Sequence, residues 1–334
     1  MENTAALQEF LKETRNIIIT THQKPDGDAM GSSLALYNYF SEKGHHVRFI
    51  SPTEYPQYFS YLPGYDDVWN YIEDPNLCHI AIEAAELLIC LDFNDLSRIE
   101  PLDAEISKNA NKKIVLIDHH LHPKIQADWT LHHTKASSTC ELVFDFIRFI
   151  EPSFIFTKEI STCIYTGILT DTASFSNGAT NKKAFLITSE LLDSGLDITF
   201  VQEQLNQTGR EEKLRFIGNA LSRKMTIRED LGIGYIIVDR KDAYRYNLQT
   251  GETEGLVNYP LTIKNVKVAI LIKQEAKIIK LSFRSKGDYS VERICRENFE
   301  GGGHRNASGG KSFLSIEETI EKIECIFEKE NLLS

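Results

Sequence analysis

Short apolar runs separated by polar clusters organise the first half of the chain. Ile17-Ile18-Ile19-Thr20-Thr21, Leu87-Leu88-Ile89-Cys90-Leu91 and Ile114-Val115-Leu116-Ile117 are each four or five residues long. Unbroken runs of this kind predict central strands of a parallel sheet, covered on both faces. Helical spacing of apolar residues marks 160–169, and a second helix is expected at 29–43, opened by Asp28, with Gly31, Ser32 and Ser33 allowing close packing on the sheet. Ser138-Thr139-Cys140-Glu141 spells a capping box ahead of a helix at 142–150, and that role is structural. From 190 to 225 the chain is helical and polar, with a break near Thr208-Gly209-Arg210. Strands are predicted at 234–239, 266–274 and 277–285, and helices at 290–299 and 316–332.

These elements predict an α/β protein in three parts: a parallel-sheet domain over 1–189, a helical linker over 190–225 and a smaller α/β domain over 226–334. A chain of 334 residues is long enough for two separate cores. The 42% hydrophobic and 25% charged content is ordinary for a soluble globular protein. No leader joins a basic region to an apolar run and a cleavage site, and no apolar run approaches 18 residues, so a cytoplasmic protein without membrane partners is expected. The six cysteines form no CxxC pair and mostly sit in apolar runs, which predicts reduced structural thiols. Acids and bases balance over 226–334, so the net charge of −11 belongs to residues 1–225. An acidic half is a poor platform for long nucleic acid, whose binding rests on many phosphate contacts. Short anionic substrates suit it better.

The polar clusters carry the chemistry. Three directly follow the predicted strands: His22-Gln23-Lys24-Pro25-Asp26-Gly27-Asp28, then Asp92, then Asp118-His119-His120. The carboxyl edge of an open α/β sheet is where ligands bind, and Asp171 would reach that edge from the end of the 160–169 helix. Each segment alone has a bland reading as a turn or a cap. Several carboxylates at one edge repel and protonate unless a cation compensates them. Mixed carboxylate and imidazole donors suit Mn²⁺, Fe²⁺, Co²⁺ or Zn²⁺. Further on, Gly301, Gly302 and Gly303 let a ligand approach the main chain, where free amides would cradle phosphate. His304 and Asn306 follow them, and Arg284, beside Ser285 at a strand end, offers a fork suited to a terminal phosphate. Arg284, Lys286, Arg293, Arg296, Arg305 and Lys311 make this region locally basic.

The order and spelling of these segments resemble the DHH phosphoesterase superfamily, named for the triplet seen here as Asp118-His119-His120. Ser282-Phe283-Arg284-Ser285 and Gly301-Gly302-Gly303-His304-Arg305-Asn306 are similar to the DHH-associated C-terminal domain of nanoRNases and pAp phosphatases, relatives of the RecJ exonucleases. The resemblance implies an active site in the cleft between the domains and two divalent ions, most often Mn²⁺. His22, Asp26 and Asp92 would hold one ion; Asp28, Asp92, His119 and Asp171 the other, with Asp92 shared. His120 would contact the scissile phosphate or protonate the leaving oxygen, and Asp118 would orient a ligand. Substrates implied are short RNA oligonucleotides and 3′-phosphoadenosine 5′-phosphate (pAp), held by Arg284, Ser285, the glycines, His304 and Asn306. Linear or cyclic dinucleotide hydrolysis and a silent nucleotide-binding regulator are the alternatives. Inorganic pyrophosphatase or exopolyphosphatase action is disfavoured, because such relatives carry a different C-terminal domain. Oligomeric state is left open, a homodimer included. One departure stands out: where family members often carry Gly after the Asp-Thr pair, this chain has Ala173. His45, His46, His79, His122, His132 and His133 are expected to bind no metal.

Overall fold

The computed structural model describes residues 4–109, 112–330 and 332. It divides into two compact units, Met1–Thr208 and Gly209–Ser334. The boundary falls inside the segment expected to be a linker. Helices of that segment contribute to both cores: Leu191, Leu196 and Val201 are buried in the first unit, and Phe216 and Ala220 in the second.

In the first unit the strands are β1 (Asn16–Thr20), β2 (His46–Ser51), β3 (Trp69–Asn70), β4 (Leu87–Leu91), β5 (Lys113–Asp118) and β6 (Trp129–His132). They form one sheet in the order β3-β2-β1-β4-β5-β6, with every pairing parallel. The helices are α1 (Thr4–Phe10), α2 (Gly27–Glu42), α3 (Pro75–Ala84), α4 (Asp103–Lys108), α5 (Thr139–Ile150), α6 (Lys158–Asp171), α7 (Lys182–Leu192) and α8 (Ile198–Asn206). Alternation along the strands fills two layers. Ile17, Ile19 and Ile89 join the large core with residues of α2, α5 and α6, while Ile18, Leu88 and Leu116 face a smaller one with Cys78 and Ile82 of α3 and Ile106 of α4. Strands β2, β3 and β6 went unpredicted, because they lack an unbroken apolar run and are edge strands or their neighbours.

Two local expectations are corrected. Helix α2 is opened by Asp26, not Asp28: the Asp26 carboxylate accepts from the main-chain N–H groups of Asp28 and Ala29, both at 3.1 Å. Close packing by its small residues is against another helix, not the sheet. A Cβ on Gly31 would lie 2.5 Å from the Cys163 carbonyl oxygen of α6.

The second unit contains β7 (Met225–Arg228), β8 (Ile233–Val238), β9 (Val268–Gln274), β10 (Ile279–Ser285), β11 (Gly302–His304) and β12 (Ala307–Ser312). Its sheet runs β11-β12-β10-β9-β8-β7, parallel only between β8 and β9. Helices α9 (Glu211–Asn219), α10 (Arg240–Arg245), α11 (Val291–Asn298) and α12 (Ile316–Glu330) complete it. The helix expected at 316–332 thus ends at Glu330, and Asn331 lies outside the described residues. All six cysteines are free, five of them buried. No helix among the described residues is long and apolar enough to cross a membrane.

Candidate metal centre

Because β1, β4 and β5 are adjacent and parallel, their carboxyl ends lie side by side. His22 follows β1, Asp92 follows β4, and Asp118 ends β5 with His119 and His120 just beyond. Asp26 and Asp28 join them from the start of α2, and Asp171 from the last residue of α6. The result includes two donor groups, each with its ligand atoms within 4.8 Å of one another, His22, Asp26 and Asp92, and Asp28, His119 and Asp171; a third, Asp92, Asp118 and His120, overlaps the first at Asp92. Asp92 reaches both of the first two. One of its oxygens lies 3.5 Å from His22 Nε2 and the other 3.4 Å from His119 Nε2. His119 Nε2 is also 3.7 Å from Asp28 and 3.4 Å from Asp171. Asp92 adopts a left-handed backbone with φ of 64°, an uncommon conformation for a side-chain-bearing residue that recurs at functional sites.

The three histidines separate by their second nitrogen. His22 Nδ1 lies 2.9 Å from the Gln23 carbonyl oxygen and His119 Nδ1 lies 3.4 Å from that of Ala136, which leaves Nε2 of both for the cluster. His120 instead places Nδ1 2.7 Å from Asp118 Oδ1. Asp118 therefore orients His120, not a ligand as expected. Its other oxygen is buried without a hydrogen-bond partner among the described residues.

Charge in this pocket is out of balance in the way that calls for a cation. Burial, reinforced by the neighbouring Asp92 charge, pushes Asp28 up to about 7. Burial and Asp28 likewise drive Asp171 well above the carboxylate range. Burial alone would lower the histidines, yet hydrogen bonds to Asp26 and Asp92 raise His22 to about 10, and Asp92 and Asp171 raise His119 well above its ordinary value. Asp92, although buried, is held well below the usual range by His119 and His22. Protons thus stand where metal charge would otherwise be. Converging oxygen and imidazole donors, four of the six buried, fit divalent metal, and His22, Asp26, Asp28, Asp92, His119 and Asp171 are the residues able to hold it. His120 differs, since burial and the charge of Arg98 hold it well below its ordinary value.

Some supports were misjudged from sequence. Ser138 does cap α5, accepting from Glu141 N at 3.0 Å. The neighbouring Thr139 does more than close a helix: its N–H donates to Asp28 at 2.5 Å and its hydroxyl to Asp92 at 2.8 Å, while Cys140 N–H donates to Asp28 at 2.8 Å. Here a helix N-terminus grips a ligand. Gly167 makes room for it, because a Cβ there would meet Cys140 Sγ at 2.2 Å and Asp28 Oδ1 at 2.7 Å. Beyond Asp171, Ala173, Ser174 and Phe175 are all left-handed, with φ of 47°, 57° and 60°. The missing glycine is thus absorbed as backbone strain, with Asn177 Nδ2 donating to the Asp171 carbonyl at 2.7 Å.

The second unit treats its expected residues differently. Gly302, Gly303 and His304 are not a free loop; they pair with Gly309, Ser308 and Ala307 of β12 as an edge strand. Glycine is needed at 301 because a Cβ would lie 1.9 Å from the Gly309 carbonyl oxygen. Asn306 donates to Ser285 Oγ at 2.9 Å and to the Gly287 carbonyl at 2.8 Å, and Ser285 Oγ donates to the Tyr289 carbonyl at 2.7 Å, so both side chains pin a turn. Arg284 lies at the end of β10, directly across from Ala307. Of the histidines given no metal role, His79 pairs with Glu105 at 2.8 Å and His132 Nε2 lies 2.7 Å from the His120 carbonyl oxygen.

Family comparison agrees with this geometry. Residues 16–168 match the DHH family N-terminal domain, and residues 234–329 match the DHHA1 domain. A solved structure, described as an exopolyphosphatase-related protein from Bacteroides fragilis, is 34% identical with a TM-score of 0.90, covering 98% of this chain and 95% of that one. The chain belongs to the DHH family. It is also similar to the bifunctional oligoribonuclease and PAP phosphatase NrnA of Thermus thermophilus, 26% identical over 96% of this chain and 92% of that protein. A probable enzyme of the same name from Streptococcus mutans is 29% identical over 92% of this chain and 93% of its own length. As a DHH family member this protein is a phosphoesterase, a hydrolase acting on ester bonds.

Proposed function

We propose that this DHH protein is a cytoplasmic two-metal phosphoesterase that hydrolyses short oligoribonucleotides and pAp, with Mn²⁺ as its metal. The observation that carries the reading is Asp92, whose two oxygens face two separate donor groups. Divalent ions held there supply the Lewis acidity that activates water and offsets the charge gathering at phosphorus. His22, Asp26 and Asp92 would hold one ion, and Asp28, Asp92, His119 and Asp171 the other. His120, fixed through Nδ1 by Asp118, is the group to contact the scissile phosphate or protonate the leaving oxygen. Arg284 and His304 hold the end of the substrate that is not cleaved. Support for the substrate class comes from the names of the two relatives, together with the acidic first unit, which disfavours long nucleic acid.

The test is a ranking of substrates with Mn²⁺ added to purified protein. Labelled RNAs of two to five residues, a 24-residue RNA, pAp, linear and cyclic dinucleotides and polyphosphate are each offered alone. Fastest turnover on short RNA and pAp is expected. Preference for polyphosphate or a cyclic dinucleotide, or equal rates on the 24-residue RNA and a dimer, overturns the substrate assignment.

A further inference from the structure

The turn that leads into α5 supports one of the two metal-holding groups and leaves the other to different parts of the chain. The Ala136 carbonyl oxygen lies 3.4 Å from His119 Nδ1, and the N–H groups of Thr139 and Cys140 donate to the two oxygens of Asp28 at 2.5 and 2.8 Å. Both supported residues converge with Asp171. His22 and Asp26 take their support elsewhere, His22 Nδ1 lying 2.9 Å from the Gln23 carbonyl oxygen and Asp26 accepting from the N–H groups of Asp28 and Ala29. The turn itself is locked. The Glu141 carboxylate accepts from the N–H and hydroxyl of Ser137 at 2.8 and 2.7 Å, and from Asn181 Nδ2 at 2.9 Å.

Asp92 is where the two groups meet, and Thr139 touches one side of it. The Thr139 hydroxyl donates at 2.8 Å to Oδ1, the oxygen 3.4 Å from His119 Nε2, whereas Oδ2 lies 3.5 Å from His22 Nε2. Thr139 is fully buried and is the first residue of α5, so one rigid element carries both its hydroxyl and its N–H. A carboxylate oxygen offers two lone pairs. With one taken by the hydroxyl, Oδ1 keeps the other for an ion, and the carboxylate is held from turning both oxygens toward the same group. A hydrogen bond to a charged acceptor is about twice as strong as a neutral one, which suits it to that task.

We infer that Thr139 is a positioning residue whose hydroxyl holds Asp92 astride the two donor groups, so that the group of Asp28, His119 and Asp171 depends on it for its ion. It acts through Asp92 and not on the substrate. The inference rests on the two-metal reading but not on which nucleotide is preferred.

The test counts the Mn²⁺ bound by the full chain, by calorimetric titration and by elemental analysis after dialysis, for the unaltered protein, Thr139→Val and Thr139→Ser. Valine keeps the shape and the N–H but has no hydroxyl. The unaltered protein should bind two ions per chain. Thr139→Val should bind one of them as before and the other about 10- to 100-fold more weakly, the usual loss when a group that orients a metal ligand is removed. Thr139→Ser, which keeps the hydroxyl, should bind both within about three-fold of the unaltered protein. Turnover by Thr139→Val on the best phosphoester of the wild type should recover as Mn²⁺ is raised, a rescue that damage to the fold would not show. Two ions bound by Thr139→Val with unchanged affinity overturn the inference, as do equal weakening of both ions or a failure of Thr139→Ser to restore binding. Should Thr139→Val fail to fold, Thr139→Ala, which also keeps the N–H, is read in the same way. If both are unfolded while Thr139→Ser is not, the hydroxyl serves the fold and the inference falls. A single ion in the unaltered protein is a separate failure, because it overturns the two-metal reading itself.

Discussion

The first unit lays six strands parallel, so that β1, β4 and β5 end side by side and bring together His22, Asp92 and Asp118, residues far apart in the chain. The second unit also has six strands but mixes their directions, and its candidate residues come from β10 and the β11–β12 hairpin alone. Carboxyl ends gather at one edge only when the strands agree in direction, which makes that edge a collector of remote side chains. A mixed sheet offers no such edge. Chemistry in the second unit is therefore local, and much of what looked like chemistry there is packing. Asn306 and Ser285 secure a turn, and Gly301 admits a neighbouring main chain.

This contrast predicts effects of very different size. Asp92→Ala removes a donor from both groups and should lower turnover by more than ~10³-fold, about 4 kcal/mol of barrier; Asp118→Ala, which only frees His120, should lose less. Near-wild-type turnover by the Asp92 variant with Mn²⁺ added would end the two-metal assignment. In the second unit, Arg284→Ala should raise KM for di- and trinucleotides by roughly 10- to 100-fold, the loss of a charge-assisted pair worth ~1.5–3 kcal/mol. Hydrolysis of bis-p-nitrophenyl phosphate should hardly change, and an equal fall in both activities would move Arg284 into the catalytic centre or the fold.

Metal binding supplies a third contrast, in pH. The metal-free cluster holds protons on His22, raised to about 10, and on Asp28, raised to about 7, and a ligand must shed its proton before it can coordinate. Each proton displaced strengthens binding as pH rises, so affinity for Mn²⁺ should climb by at least ~10-fold between pH 6 and 7.5, with net proton release seen by calorimetry in buffers of differing ionisation enthalpy. Affinity that stayed flat over this range would show that those protons are not where the structure puts them.

The smallest effects compare two glycines. Gly167→Ala forces a Cβ against Cys140 Sγ and Asp28 and should cost ~1–3 kcal/mol of stability by overpacking. Gly302→Ala meets nothing within 4 Å on its edge strand and should stay within about 0.5 kcal/mol of the parent. Thermal unfolding of both variants measures the difference, and similar shifts would contradict the packing described.

Much of the first unit was legible because buried parallel strands leave a continuous apolar signal, and β1, β4 and β5 lie within a residue of their expected bounds. Their polar sequels announced the donor residues, and the triplet at 118–120 identified the family. The edge strands β3 and β6, and β2 next to one edge, carried no comparable signal, since one-sided or partial burial breaks the apolar run. The role of Thr139 was hidden behind a capping pattern that is half real: Ser138 caps the helix, whereas the Glu141 carboxylate accepts from the Ser137 N–H and hydroxyl, and the same N-terminus also serves a carboxylate more than 100 residues away.

The chain alone determined which residue types carry the chemistry, since carboxylates and imidazoles at strand ends are needed there for no packing reason. Only the tertiary structure decided how they divide: that the two oxygens of Asp92 face different groups, that Asp118 serves His120, and that Gly167 exists for Asp28. Residue identity is local, whereas a carboxylate shared between two groups is a property of distances. Those distances are set by the parallel register of three strands and by two helices meeting them.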